Sequence, residues 1–190
     1  MVVHRTMAEL EAGLGHIAGS PPEEGTLALI VRRPDIDERE MLETGVLHPD
    51  HGLVGDSWSR RRSGATVDGS PDPVRQLNVM NARAIALIAV DPERWALAGD
   101  QLYVDFDLSE DNAPPGTRIA IGEAVIEVSE PPHSGCRKFS ARFGVDALRF
   151  VNSEVGRQMH LRGINARVVL PGTIRHGDIV RKVAMSVPPA

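Results

Sequence analysis

The 190-residue chain has one cysteine, Cys136, so no internal disulfide can form; that fits a reducing compartment and predicts a cytoplasmic protein. Aromatic residues make up only 4% of the chain, too few for the stacking platforms that single-stranded nucleic acid requires. Lysine occurs twice, as Lys138 and Lys182, so Schiff-base chemistry would have to use one of these, and pyridoxal phosphate is not expected within this chain. The longest uninterrupted apolar stretch is Ala84–Val90. It is far short of the about 20 residues that a membrane helix needs, so no membrane partner is expected. Met1–Leu10 lacks the apolar core of a signal segment, which leaves no visible secretion route. No GxGxxG or Walker pattern occurs, and the one dense basic run, Arg60–Arg62, is too short to neutralise many phosphates. Nucleic acid is therefore not an expected partner.

What is present describes a globular chain. Apolar residues are 42% and charged residues 25%, which excludes disorder throughout, and the length suits one domain with a short extension. Net charge is −5 but unevenly spread. Residues 131–182 hold ten Lys/Arg against Asp146, Glu154 and Asp178, a local balance of +7, while the remainder carries −12. If those arginines converge in the fold they create an anion site within a negative surround; the alternative is that they are solvated partners of acids elsewhere.

Periodicity places the elements. Met7, Leu10, Leu14 and Ile17 mark a short amphipathic helix over 6–18, stopped by Gly19-Ser20-Pro21-Pro22. Residues 26–33 and 101–108 read as strands, and 81–90 as a buried helix with an Asn start and an Asp-Pro stop. Residues 43–58 read mostly as turns, and 63–73 as a mobile polar loop. The clearest local signal is Arg118–Glu130, two alternating runs about Gly122-Glu123 that predict a hairpin with a type II′ turn. One or two short helices follow over 146–159, broken near Gly156, and strands over 166–170 and 179–185 finish the chain. Strands outnumber helices and no βαβ alternation is visible. The expected fold is mainly β (α+β): a closed or nearly closed β-barrel with a few peripheral helices. Residues 1–24 form a helical extension to a barrel domain over 25–185, with 186–190 as a tail.

Chemistry concentrates at Cys136. It lies in Pro131-Pro132-His133-Ser134-Gly135-Cys136-Arg137-Lys138, after the second hairpin strand, with His133 before it and two cations behind it. A loop-borne, electropositive setting suits a reactive sulfur that attacks sulfur or ligates a soft metal; the alternative is a small buried hydrophobe. A Cys-His hydrolase dyad with His133 or His160 is a rival. His48-x-x-His51 is half a metal site without nearby cysteines, and Gly52–Asp56 reads as a turn at a strand end.

The order of the segments GLVGD (52–56), GTRIAIGEAVIEVS (116–129), the single cysteine beyond Pro131-Pro132, RGINARVV (162–169) and GTI (172–174) resembles a MOSC domain. This module is named from the C-terminal part of molybdenum cofactor sulfurases. The resemblance, spanning about residues 25–183, implies a barrel of the pyruvate kinase barrel type that binds molybdopterin. It implies Cys136 as sulfur carrier or molybdenum ligand; His133, from the reading of the loop itself, is the second catalytic candidate. Arg137, Lys138, Arg157 and Arg167 would supply positive potential for the cofactor phosphate, and Asn165 and Asn112 polar contacts. It also implies sulfur transfer or reduction of N-hydroxylated compounds. Since the chain has neither a desulfurase domain nor a ferredoxin-type cysteine cluster, a separate cysteine desulfurase or electron-donor protein would be needed. The His-Gly-Gly segment of many bacterial relatives is replaced here by Trp58–Arg62. A non-catalytic barrel that delivers sulfur is the remaining alternative.

Overall fold

Residues 4–183 are described in the computed structural model. The tail 186–190 and the end of the expected last strand lie outside them. Along the chain run α1 (Met7–Ala12), α2 (Leu14–Ala18), β1 (Glu24–Arg32), β2 (Glu40–Leu42), β3 (Thr44–His48), β4 (Gly52–Leu53) and β5 (Leu77–Asn81). Next come α3 (Ala82–Ala89), β6 (Leu102–Asp105), β7 (Arg118–Ile121), β8 (Ala124–Val128), α4 (Arg137–Phe143), α5 (Val145–Val151) and α6 (Glu154–Gln158). The set closes with β9 (Ile164–Leu170), β10 (Gly172–Arg175) and β11 (Ile179–Val183).

Seven strands form a closed mixed barrel in the order β11-β7-β8-β9-β5-β6-β1, and β1 returns to β11 through Glu24↔Arg181 and Thr26↔Ile179. Alternation decides what lies inside. Ile119, Ile121, Ala124, Ile126, Val128, Leu77, Val79, Leu102 and Val104 point inward and are essentially inaccessible. A small sheet, β10-β3-β4, turns Leu47, Leu53 and Ile174 into the same interior. The expected hairpin is present, and Gly122 at φ 54° supplies the left-handed first turn position that a II′ turn needs.

The outward residues of three neighbouring strands are apolar too. Val31, Met80 and Tyr103 are buried beneath α1–α5 with Leu10, Ile17, Ile85, Phe139 and Phe143, which makes a second core on the outer wall. The first helix is started by a reciprocal capping box between Thr6 and Glu9, and divided at Gly13.

Several local expectations are corrected. β5 and β6 are parallel and joined through α3, so the barrel does contain one βαβ unit. Asn81 ends β5 and also caps α3, its side chain accepting from the Arg83 and Ala84 N–H groups; with no linker between strand and helix, the alternation is hidden. Residues 43–58 hold β3 and β4 rather than turns alone, and the break in the helical stretch falls at Asn152-Ser153, where Ser153 caps α6, not at Gly156. No helix among the described residues is long and apolar enough to cross a membrane.

Closure depends on close backbone approach. A Cβ on Gly25, which is paired with Val180 of β11, would stand 1.9 Å from the Asp105 carbonyl oxygen of β6. Gly25→Ala is therefore expected to cost about 2–3 kcal/mol in urea unfolding. Gly15→Ala, with nothing within 4 Å of the new methyl, is expected to gain about 0.5–1 kcal/mol from helix propensity.

Candidate functional site

The outer wall of the barrel carries a polar patch where β1, β5, β6 and β9 meet the 131–136 segment. Asp56 and Asp100 are its buried anions, 1% and 0% exposed. Asp56 receives Nε and Nη2 of Arg33 at 2.9 Å each, and also the Arg33 and Trp58 N–H groups. Burial pushes the Asp56 carboxyl up, but these bonds outweigh it and hold the group below the usual carboxylate range. Arg162 Nη1 donates to both oxygens of Asp100, at 2.9 and 2.7 Å, while the Arg162 guanidinium lies 4.9 Å above the Phe139 ring.

From these pairs a hydrogen-bonded chain reaches the cysteine segment. Arg33 Nη1 donates to Asn78 Oδ1, Asn78 Nδ2 to Asn165 Oδ1, and Asn165 Nδ2 to the Pro131 carbonyl. Asn78 and Asn165 face each other across β5 and β9, on the faces opposite their inward neighbours. At the far end of the segment, Asn152 clamps Gly135 in both directions: its Oδ1 accepts from the Gly135 N–H at 2.9 Å and its Nδ2 donates to the Gly135 carbonyl at 3.2 Å. Backbone at 131 and 135 is thus fixed by two asparagines from β9 and from the end of α5. Cys136 follows as the residue that starts α4, and its side chain is exposed.

His133 points back into the patch. Its Nδ1 lies 3.4 Å from Asp100 Oδ1 without a hydrogen bond, and the ring is 16% exposed. Burial, then the Arg162 charge, push its pKa down to about 4 against the opposing pull of Asp100, so the imidazole is neutral at pH 7.

Beside this segment lies a cavity of about 390 Å³, walled mainly by apolar atoms of Val128, Pro131, Pro132, Val151 and Ile164. His133, Ser134, Asn165, Arg157 and His160 also line it. Arg157 donates to the Asn152 carbonyl, and His160 Nδ1 is 2.6 Å from the Leu108 carbonyl. Of the residues singled out from sequence, His133, Arg157, His160 and Asn165 line this cavity; Cys136 and Arg137 do not, and follow two and three positions after the lining residue Ser134. Lys138 is exposed on the first turn of α4. Arg167 lies apart, paired with Glu127 at 2.6 Å and lining a neighbouring recess. Asn112 is also elsewhere, donating to the Pro22 and Asp107 carbonyls and accepting from Lys182. Sequence reasoning missed Asp56, Asp100, Arg33 and Asn152. The acid closing GLVGD was the one available signal, since a turn-ending Asp beside two glycines was read only as a turn.

The site can offer one soft sulfur and one guanidinium beside a largely apolar cavity. No group of three or more His, Cys, Asp or Glu side chains suited to a metal ion occurs among the described residues. A metal held at Cys136 would therefore have most of its coordination shell filled by the group that carries it.

A closed barrel with a cysteine-bearing segment on its outer wall is the class that fold and site define. The chain belongs to the MOSC domain family, which it matches over residues 73–181. This family is associated with molybdenum cofactor binding and sulfurase-like function. Among proteins of curated function none matches. Solved structures share the fold. YuaD of Bacillus subtilis is 17% identical, with a TM-score of 0.57 over 83% of this chain and 94% of that one. YiiM of Geobacillus stearothermophilus is 14% identical, with a TM-score of 0.55 over 86% and 76%. YiiM of Escherichia coli is 22% identical, with a TM-score of 0.50 over 84% and 70%.

The depressed His133 pKa has a defined consequence. The unfolded chain takes up this proton near pH 6.5 and the folded chain only near 4, so acidification across that window favours unfolding. Between pH 7.5 and 4.5 the wild type is expected to lose about 2–3 kcal/mol more unfolding free energy than His133→Gln, measured by urea titration at both pH values.

Proposed function

We propose that this chain holds a molybdopterin-type cofactor in the cavity beside residues 131–136 and presents the Cys136 sulfur to its metal, as ligand or as carrier of sulfane sulfur. The observation that carries the reading is the exposed thiol at the end of a segment that itself walls the cavity and is pinned at Pro131 and Gly135. Such a cofactor supplies, when bound, a thiophilic metal and an anionic phosphate.

The chain's own residues have separable tasks. Cys136 offers the soft donor. Arg157 reaches the cavity with no carboxylate partner among the described residues, which leaves its charge for an anion. Arg137 and Lys138 add exposed positive potential beside the sulfur. Asn165 and Asn152 hold the backbone that aims Cys136, and the neutral His133 keeps Asp100 committed to Arg162. Sulfur transfer would draw on a separate cysteine desulfurase, and reduction of N-hydroxylated compounds on an electron-donor protein.

A hydrolase dyad is less well supported. Cys136 Sγ makes no hydrogen bond to His133 or His160 among the described residues; His133 Nδ1 faces Asp100 at 3.4 Å without a hydrogen bond, and His160 Nδ1 is bonded to the Leu108 carbonyl.

Protein purified from a cofactor-producing host is expected to carry molybdenum by elemental analysis and a pterin by fluorescence. Cys136→Ser is expected to lower molybdenum per chain at least about tenfold with its unfolding midpoint unchanged. Undiminished loading in that variant would remove the assignment. Arg157→Ala is expected to shed pterin more readily, and increasingly so as salt is raised.

A further inference from the structure

Four arginines from three separate parts of the chain converge on one short stretch of backbone. The carbonyl of Ala96 accepts from Arg39 Nε, that of Leu97 from Arg142 Nη1, that of Ala98 from Arg162 Nη2 and that of Gly99 from Arg33 Nη1. Two of these cations are neutralised in place, Arg33 by Asp56 and Arg162 by Asp100. Of the other two, Arg142 has one exposed acid, its Nη2 lying 3.0 Å from Asp37, whose carboxylate is 65% exposed, and Arg39 has none, donating among the described residues only to the Ala96 and Glu38 carbonyls.

The unused donors of those two arginines face the same space. Arg39 Nη2 has no acceptor among the described residues, and Arg142 Nη1 keeps one proton after serving Leu97. A methyl group on Gly99 would lie 3.7 Å from Arg39 Nη2 and 3.9 Å from Arg142 Nη1, with no other non-adjacent atom within 4 Å. The missing Cβ thus leaves a recess bordered by two guanidinium nitrogens with hydrogens to give. Arg94, 5.4 Å above the Phe143 ring and bonded to the Arg142 carbonyl, adds a further cation that has no acid partner among the described residues. Neither Arg39, Gly99 nor Arg142 lines the cavity described above.

We propose that Arg39 and Arg142, over Gly99, form a binding site for a phosphate-class oxyanion, separate from the cavity beside Cys136. One free guanidinium nitrogen from each arginine can donate to different oxygens of a tetrahedral oxyanion, and both arginines are held by backbone carbonyls, so little side-chain ordering is left to oppose binding. The anion would be either inorganic phosphate or the phosphoryl group of a phosphomonoester, since both present the same oxygens.

The test is a titration at low ionic strength, following the 31P line width of inorganic phosphate and, in parallel, of phenyl phosphate. The wild type is expected to show saturable broadening with both, equal affinities indicating free phosphate and tighter phenyl phosphate a phosphomonoester. Arg39→Gln and Arg142→Gln are each expected to weaken binding at least about tenfold, and Arg39→Lys to restore little of it, because a single ammonium nitrogen cannot hold the Ala96 and Glu38 carbonyls and also reach the anion as three guanidinium nitrogens do. Arg149→Gln, which removes an exposed charge elsewhere, is expected to change nothing. Non-saturable broadening, equal affinity in the Arg39 and Arg142 variants, or an equal loss in Arg149→Gln would overturn the proposal. If Arg142→Gln fails to fold, Arg39→Gln alone decides, since among the described residues its side chain serves only two carbonyls. Cys136→Ser is expected to keep full phosphate affinity, so failure here and failure of the cofactor assignment are read separately.

Discussion

Two carboxylates with almost no exposure, Asp56 and Asp100, organise the face of this barrel that carries the candidate site. Each lies where water cannot solvate it, and each is made tolerable by an arginine delivered from a distant part of the chain. Pairs of this kind add little net stability relative to a well-packed apolar replacement, but removing one partner strands the other charge at a cost of about 3–5 kcal/mol. Their contribution is therefore geometric. Arg33 ties the end of β1 to the turn after β4 and to the backbone at Gly99, while Arg162 ties the approach to β9 to the approach to β6 and gives Phe139 of α4 a charged ceiling.

That frame explains how an exposed sulfur can still be held in one place. Cys136 makes no anchoring side-chain bond among the described residues, yet the backbone around it is over-determined. The Pro131 carbonyl is tied to the barrel wall through Asn165 and Asn78, and Gly135 to the end of α5 through Asn152. The helix that follows is fastened by Phe139 and Phe143, whose rings pack 4.9 Å apart inside the outer core. An exposed sulfur on a fixed backbone needs little reorganisation on binding a ligand, which is how a preorganised site favours binding.

How much of this could be seen in the amino-acid order follows from the range of each interaction. The hairpin at 118–128 and the barrel as a class were legible, because alternation and a turn glycine are local signals. α3 was legible from its apolar periodicity and its Asn start. β5 was not, since five strand residues abut α3 and share Asn81 with it. β3, β4 and β10 were hidden by shortness: two to five residues each, joined by glycine, proline and histidine turns that dominate the local pattern. In the candidate site, the cysteine segment and Arg157 stood out by residue type. The pairs 33–56 and 100–162 did not, because nothing in a lone acid reveals a partner 23 or 62 positions away. Much of the basic excess of residues 131–182 is taken up by acids elsewhere in the fold: Arg142 pairs with Asp37, Arg162 with Asp100 and Arg167 with Glu127 on the neighbouring strand.

The pairing of β1 with β11 has an architectural corollary. Because Glu24 and Arg181 are register partners, the chain enters and leaves the barrel at adjacent points on its rim. A unit with neighbouring entry and exit can be grafted into a surface loop of a larger polypeptide through two short tethers. It can equally be recut, with those two ends spliced together and new ones opened in an exposed connection, without disturbing a single rung of the wall.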